Sequence, residues 1–263
     1  MILVFAAQTA ALFSRSLLEL YVLDEWLAPA AAKLASYAIV PPILLLLLYP
    51  VWRARRLELR GYFAVDARTI HLVLLGMGAG LCLRLADYAA LVARTALAAD
   101  PVTGLDDVPR ISFDCPPASF VILYLAIMML AVPVIEEIIN RGWVATWLTR
   151  YGHWQAVIGS ALFFAIFHPA SGLATAFVFG IFMAWLLFNT GSLWACVSAH
   201  ATFNGLILLD WYCLNVTWLP ESRSTSVLAV GALALVLGTL ALVVAGVLVS
   251  RKIAGRVPGD PSA

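Results

Sequence analysis

The sequence predicts an all-α, polytopic integral-membrane protein built as a bundle of about eight transmembrane helices. Composition is the first observation behind this. Of 263 residues, 63% are hydrophobic and only 12% are charged, where soluble domains carry about 25% charged residues. The second is that apolar runs of bilayer-spanning length, roughly 17–25 residues, recur along the chain; "CPPASFVILYLAIMMLAVPVI" is one. The third is the spacing of basic clusters, which is consistent with alternating membrane faces.

Candidate helices run approximately over 2–23, 32–52, 69–96, 118–149, 154–168, 172–189, 192–213 and 226–250. The first, "MILVFAAQTAALF", lacks the basic leading region of a cleaved signal peptide and reads as a retained span. Arg15 interrupts the first segment, and Arg84, Asp87 and Arg94 interrupt the third. No internal repeat, low-complexity tail or separate soluble domain is visible. The chain divides into N-terminal helices (1–117), a polar-bearing core (118–213) and a last helix with its tail (214–263).

"RARRLELR" (Arg53, Arg55, Arg56, Arg60) marks a cytoplasmic loop. Threading from it puts "DPVTGLDDVPRISFD" outside, Arg150 inside, "TWLPESRSTS" outside, and Arg251, Lys252 and Arg256 inside. Both termini are then cytoplasmic, and the plasma membrane is the expected location. No basic patch with interleaved aromatics points to nucleic acid; the partners implied are membrane lipid and a protein or peptide substrate. Cys82, Cys115, Cys196 and Cys213 show no metal-ligand spacing. Cys82 and Cys196 read as core residues. Cys115 and Cys213 fall near one membrane face, where a disulfide is open to them but not assigned by spacing.

No Asp, Glu, Lys or Arg occurs between Arg150 and Asp210, yet His168 and His200 lie in this block. An ionisable group at membrane depth costs about 2.5 kcal/mol or more, so such groups face a bundle interior and mark function. Three polar stations result: Glu136/Glu137/Arg141, His168, and His200/Asn204. Glu137 and Arg141 are four apart, the favourable order for an intrahelical ion pair. Glu136 sits about 100° around the helix from Glu137, so the two carboxylates are expected to face different neighbours. His200 and Asn204 share one helix face. Pro169 and Gly172 end the helix that carries His168. His71 and His153 lie at helix ends near water and read as structural.

A carboxylate beside an imidazole can take a proton from water. A second imidazole with a carboxamide can hold a developing oxyanion. The set suits peptide hydrolysis by activated water. Glu136, His168 and His200 are equally a two-His, one-carboxylate set for zinc. Neither HExxH nor GxSxG is present.

"EEIINR", "FAIFH" and "HATFN" fit EExxxR, FxxxH and HxxxN in order, and over about residues 118–213 the chain resembles the CPBP family of intramembrane proteases. That family comprises type II CAAX prenyl endopeptidases and relatives linked to bacteriocin processing and self-immunity. The resemblance implies a helical bundle around an intramembrane cavity. It implies catalytic Glu136 and His168 activating water, with His200 and Asn204 stabilising the oxyanion. Glu137, Arg141 and Phe164 would support the site, the first two through their ion pair and Phe164 by packing one turn before His168. Cofactor use is either none or zinc, with the metal-free mechanism favoured. Ile138, Ile139 and Asn140 stand where many members have large aromatics, which leaves the substrate open. The competing classes are a non-catalytic immunity or scaffold protein of the same fold, and a proton-coupled transporter.

Even threading of the spans sets His168 near the outer face and Glu136 toward the cytoplasm, too far apart to share a water. Either the 118–149 helix carries its glutamates deeper, or 154–189 is not two clean spans.

Overall fold

The computed structural model describes residues 48–98, 107–113, 115–168, 172–208 and 213–220, with isolated helical positions at 39, 43, 46, 237, 240 and 244. The helix expected at 2–23, the rest of 32–52 and of 226–250, Pro169 and the C-terminal basic residues lie outside them.

The described chain is mostly helical. Helix α1 spans Tyr49–Tyr62 and α2 spans Thr69–Ala98. Strand β1 is Asp107–Phe113. Helix α3 runs without a break over Ala118–Tyr151. Next come α4 (His153–Ala165), α5 (Leu173–Thr190), α6 (Leu193–Leu208) and strand β2 (Leu214–Pro220). Among the described residues, three helical segments are long and apolar enough to cross a membrane: Thr69–Asp87, Ala118–Tyr151 and Leu173–Thr190. Leu74, Leu81, Ile122, Leu130, Leu162 and Val178 are exposed on the outside of the bundle, where lipid would replace water as the neighbour.

Three expectations change. "RARRLELR" is not a loop after a helix ending at 52 but the body of α1. Arg, Leu and Glu are good helix formers, and Pro50 in the first turn is compatible with helix initiation. The second change is a sheet that an all-α reading did not contain. β1 and β2 pair antiparallel, with Ile111 opposite Val216 and Arg110 opposite Thr217; β-branched Ile111, Val216 and Thr217 favour extended backbone. The third, left open by the sequence, is decided: a disulfide joins Cys115 to Cys213, directly beside the ends of this ladder.

The α3–α4 hairpin sets the level of Glu136 relative to His168. Gly152 turns the chain with φ 122°, a conformation closed to most L residues. Glu136 lies sixteen residues before Gly152 and His168 sixteen after it, so an antiparallel hairpin brings them to the same level. At 1.5 Å per residue the 34-residue α3 is about 51 Å long, which exceeds a hydrocarbon core of about 30 Å. Its glutamates therefore sit mid-helix rather than at an end. The 13-residue α4 is only about 20 Å long. It cannot span, so His168 stops inside the bundle.

Burial in lipid gives helices no hydrophobic drive to associate, and close backbone approach takes its place. A Cβ on Gly76 would collide with the Ala195 carbonyl and the Ser198 hydroxyl, and one on Gly80 with the Ala199 carbonyl. Glycine at these two positions on α2 lets α6 lie directly against it. One core joins Ala79 and Leu83 of α2 and Ile139, Trp143 and Val144 of α3 to Phe164, Phe179, Met183, Leu187, Cys196 and Phe203.

Candidate active site

Two π-helical turns in α3, Ala126–Ala131 and Ile138–Ala145, flank the α-helical Val132–Glu137. Pro133 accounts for the first. Proline inside a helix has no N–H to give and its ring crowds the carbonyl four residues back. Widening the turn relieves this, and the Val132 N–H bonds the Ile127 carbonyl five residues back. The acceptor that pairs with position 133 in that register is Met128. Deprived of that donor, the Met128 carbonyl accepts a hydrogen bond from Asn204 Nδ2 of α6 at 3.1 Å.

Glu137 is completely buried, as is Arg141. Arg141 Nε stands 3.2 Å from Glu137 Oε2, the ion pair that their spacing anticipates. The two charges touch without hydrogen-bond alignment. Arg141 Nη2 donates to the Gly180 carbonyl of α5 at 3.3 Å, and the guanidinium lies 4.7 Å from the Phe164 ring centre. Gly180 packs so closely on Ala161 that a Cβ there would meet its Cα at 2.8 Å.

The other oxygen of Glu137 decides the site. His200 Nδ1 donates to Glu137 Oε1 at 2.8 Å; a carboxylate ion-paired with arginine can only accept, so the proton of this bond sits on Nδ1. His200 Nε2 then faces Glu136, 3.8 Å from its Oε2. The expectation that the two glutamates face different neighbours is corrected: both meet the same imidazole, one at each nitrogen. A flat ring with nitrogens on opposite edges fits between two consecutive side chains that diverge around the helix. Glu136 keeps 29% side-chain exposure, and its backbone carbonyl accepts from Asn140 Nδ2 at 2.8 Å.

His168 is held by its own chain. Helix α4 ends at Ala165, three residues earlier than expected. The His168 N–H donates to the Ala165 carbonyl at 2.9 Å and its Nδ1 to the Phe164 carbonyl at 3.0 Å. Phe164 packs 4.4 Å from the His168 ring, as its place one turn earlier suggested, and 5.9 Å from His200. It thus touches both histidines and Arg141.

Sequence reasoning missed four groups. Phe179 of α5 lies edge-on to His200 at 5.0 Å, and Gly180 supplies the carbonyl for Arg141. Met128 holds the Asn204 amide, and the Tyr124 hydroxyl donates to the Asn204 carbonyl at 2.9 Å. Pro133 within a helical run was the available signal for a carbonyl without its donor. Tyr124, a hydroxyl in an otherwise apolar stretch, was another. Nothing in the sequence marked Phe179 or Gly180.

This arrangement puts motifs from α3 and α6 in contact and His168 at their level. Residues 118–206 match the Type II CAAX prenyl endopeptidase Rce1-like family. The Rce1-like segment begins where α3 begins and ends two residues beyond Asn204, so all three motifs lie within it. The resemblance to CPBP and CAAX proteases is borne out over these residues. No curated protein and no solved structure matches the chain.

Zinc is the alternative for the Rce1-like site. Among the described residues, no group of three or more His, Cys, Asp or Glu side chains is placed to hold a metal ion. His200 donates from Nδ1 to Glu137 and His168 from Nδ1 to a backbone carbonyl, contacts that leave Nε2 of each ring as the atom a metal would take. The three side chains are not gathered around one point in this arrangement. The two Nε2 atoms and the Glu136 carboxylate are the groups that would hold a zinc ion, and no step is derived through a metal.

Proposed function

We propose that the chain is a CAAX-type intramembrane endopeptidase that hydrolyses a peptide bond with water activated by Glu136 and His168. One observation carries the reading: Glu136 Oε2 and His200 Nε2 are separated by 3.8 Å inside the bundle. That gap is too long for a hydrogen bond, and one oxygen atom can lie within bonding distance of both. A reacting water or substrate oxygen fits there.

In this mechanism water attacks the scissile carbonyl as Glu136 takes its proton. The carbonyl oxygen becomes an alkoxide held by Asn204 and by His200 in its doubly protonated form, with Nδ1–H on Glu137 and Nε2–H on the alkoxide. The proton taken by Glu136 then passes to the leaving amine as the C–N bond breaks. Glu137, anchored by Arg141, keeps the His200 ring in place. His168 lies level with Glu136 and shares the handling of the water. The substrate is a protein or peptide with a C-terminal Cys-aliphatic-aliphatic-X motif carrying a prenyl group, the class that the family name denotes. No metal takes part. The Cys115–Cys213 disulfide supports placing β1 and β2 outside the cytoplasm, because disulfides persist in oxidising compartments.

The test is Glu136→Gln in proteoliposomes with a farnesylated, fluorescence-quenched peptide ending in such a motif. Loss of a general base removes about 10²–10⁴ of the rate. Cleavage at the wild-type rate by the variant sinks the assignment. Wild-type cleavage abolished by a strong chelator and restored by zinc sinks the metal-free version.

A further inference from the structure

Asn204 is gripped twice by the same face of α3. Its side-chain Nδ2 donates to the Met128 carbonyl at 3.1 Å, and its backbone carbonyl accepts the Tyr124 hydroxyl at 2.9 Å. Tyr124 and Met128 are four residues apart, one above the other on α3. Both are buried, Tyr124 to 3% exposure, and they share a small apolar cluster with Ile127, Val132 and Leu208. The grip depends on Pro133, which leaves the Met128 carbonyl available for the amide.

We infer that Tyr124 is a positioning residue for the reaction, fixing with the Met128 carbonyl the carboxamide of Asn204. The inference rests on the oxyanion role given to Asn204 above. A carboxamide nitrogen carries two hydrogens. Met128 takes one and thereby sets the amide plane, so the second has a fixed direction. Tyr124 locks the backbone from which the side chain grows. A donor aimed before the reaction begins costs nothing to reorganise during it, and this is what makes an oxyanion donor effective. Freed of both contacts, Asn204 samples other rotamers and its remaining hydrogen is aimed only part of the time.

The experiment is a double-mutant cycle on the full-length protein in proteoliposomes, with the farnesylated quenched peptide as probe. Tyr124→Phe keeps the ring and removes the hydroxyl. It is expected to lower kcat about tenfold with KM unchanged, the scale of one net hydrogen bond. Asn204→Ala is expected to lower kcat by about 10²–10³. In the Asn204→Ala background, Tyr124→Phe should have no further effect on kcat. An equal tenfold loss in both backgrounds overturns the inference, because the hydroxyl then acts on folding rather than through the amide. Unchanged kcat in Tyr124→Phe overturns it as well. Unchanged kcat in Asn204→Ala overturns the oxyanion role itself, and the inference with it. If Tyr124→Phe does not fold, Pro133→Ala reads the same grip. It restores an N–H that competes for the Met128 carbonyl, and the same loss, absent in the Asn204→Ala background, is expected.

Discussion

His200 Nδ1 lies 2.8 Å from Glu137 Oε1, although the two residues are 63 positions apart. This bond turns a local ion pair into a chain of four groups, Arg141, Glu137, His200 and Glu136, that links α3 to α6, with Arg141 also tied to the Gly180 carbonyl of α5. Glu137→Gln keeps the shape and removes the charge at its centre. A hydrogen bond to a charged group contributes about 1.5–3 kcal/mol, so kcat should fall about 10- to 100-fold with KM little changed. A change in KM alone would show that Glu137 contacts substrate instead.

Arg141→Ala acts on stability. It leaves the Glu137 carboxylate buried with no cation, and breaking a buried pair from one side costs about 3–5 kcal/mol. The expected result is a marked loss of monodisperse protein on size exclusion in detergent. Arg141→Ala combined with Glu137→Gln should recover part of the yield, since the uncompensated charge is gone. Normal yield of the single variant would contradict the buried pair.

The Cys115–Cys213 disulfide ties the start of α3 to the chain just after α6, the two helices whose side chains meet at Glu137 and His200. Cross-links of this kind contribute about 2–4 kcal/mol. Digestion without reductant should yield a peptide joining the two cysteines by mass spectrometry. Reductant, or Cys213→Ser, should lower the melting temperature. The same melting curve with and without reductant would remove the tie.

Gly80→Leu and Gly78→Leu form a matched pair. A side chain at Gly80 must displace the Ala199 carbonyl, one residue from His200, whereas Gly78 has no neighbour within 4 Å. Gly80→Leu should abolish cleavage and reduce folded yield, and Gly78→Leu should do neither. Equal effects of the two substitutions would mean that α2 does not pack on α6 as described.

Much of this protein can be read without coordinates. Membrane insertion follows from composition alone, because a chain with 12% charged residues cannot cover a soluble surface. The Glu137–Arg141 pair and the shared face of His200 and Asn204 follow from helical periodicity. Even the common level of Glu136 and His168 was present, as their equal spacing about Gly152. It was obscured by treating each apolar run as a full span, when α4 is too short to be one. The strand at 107–113 was hidden because its pairing partner lies about a hundred residues away, and pairing rather than local preference is what makes it a strand.

The sequence by itself determined a membrane protein and which residues carry its polar chemistry, since burying charge in lipid is so costly that each such residue must have a use. Tertiary structure alone decided who partners whom. Periodicity assigns directions around one helix and is silent about the neighbouring helix. The contact of both glutamates with one imidazole depends on how closely α6 can approach α3, and the hold on Asn204 depends on a carbonyl left without a donor by Pro133. Both are properties of two helices packed together.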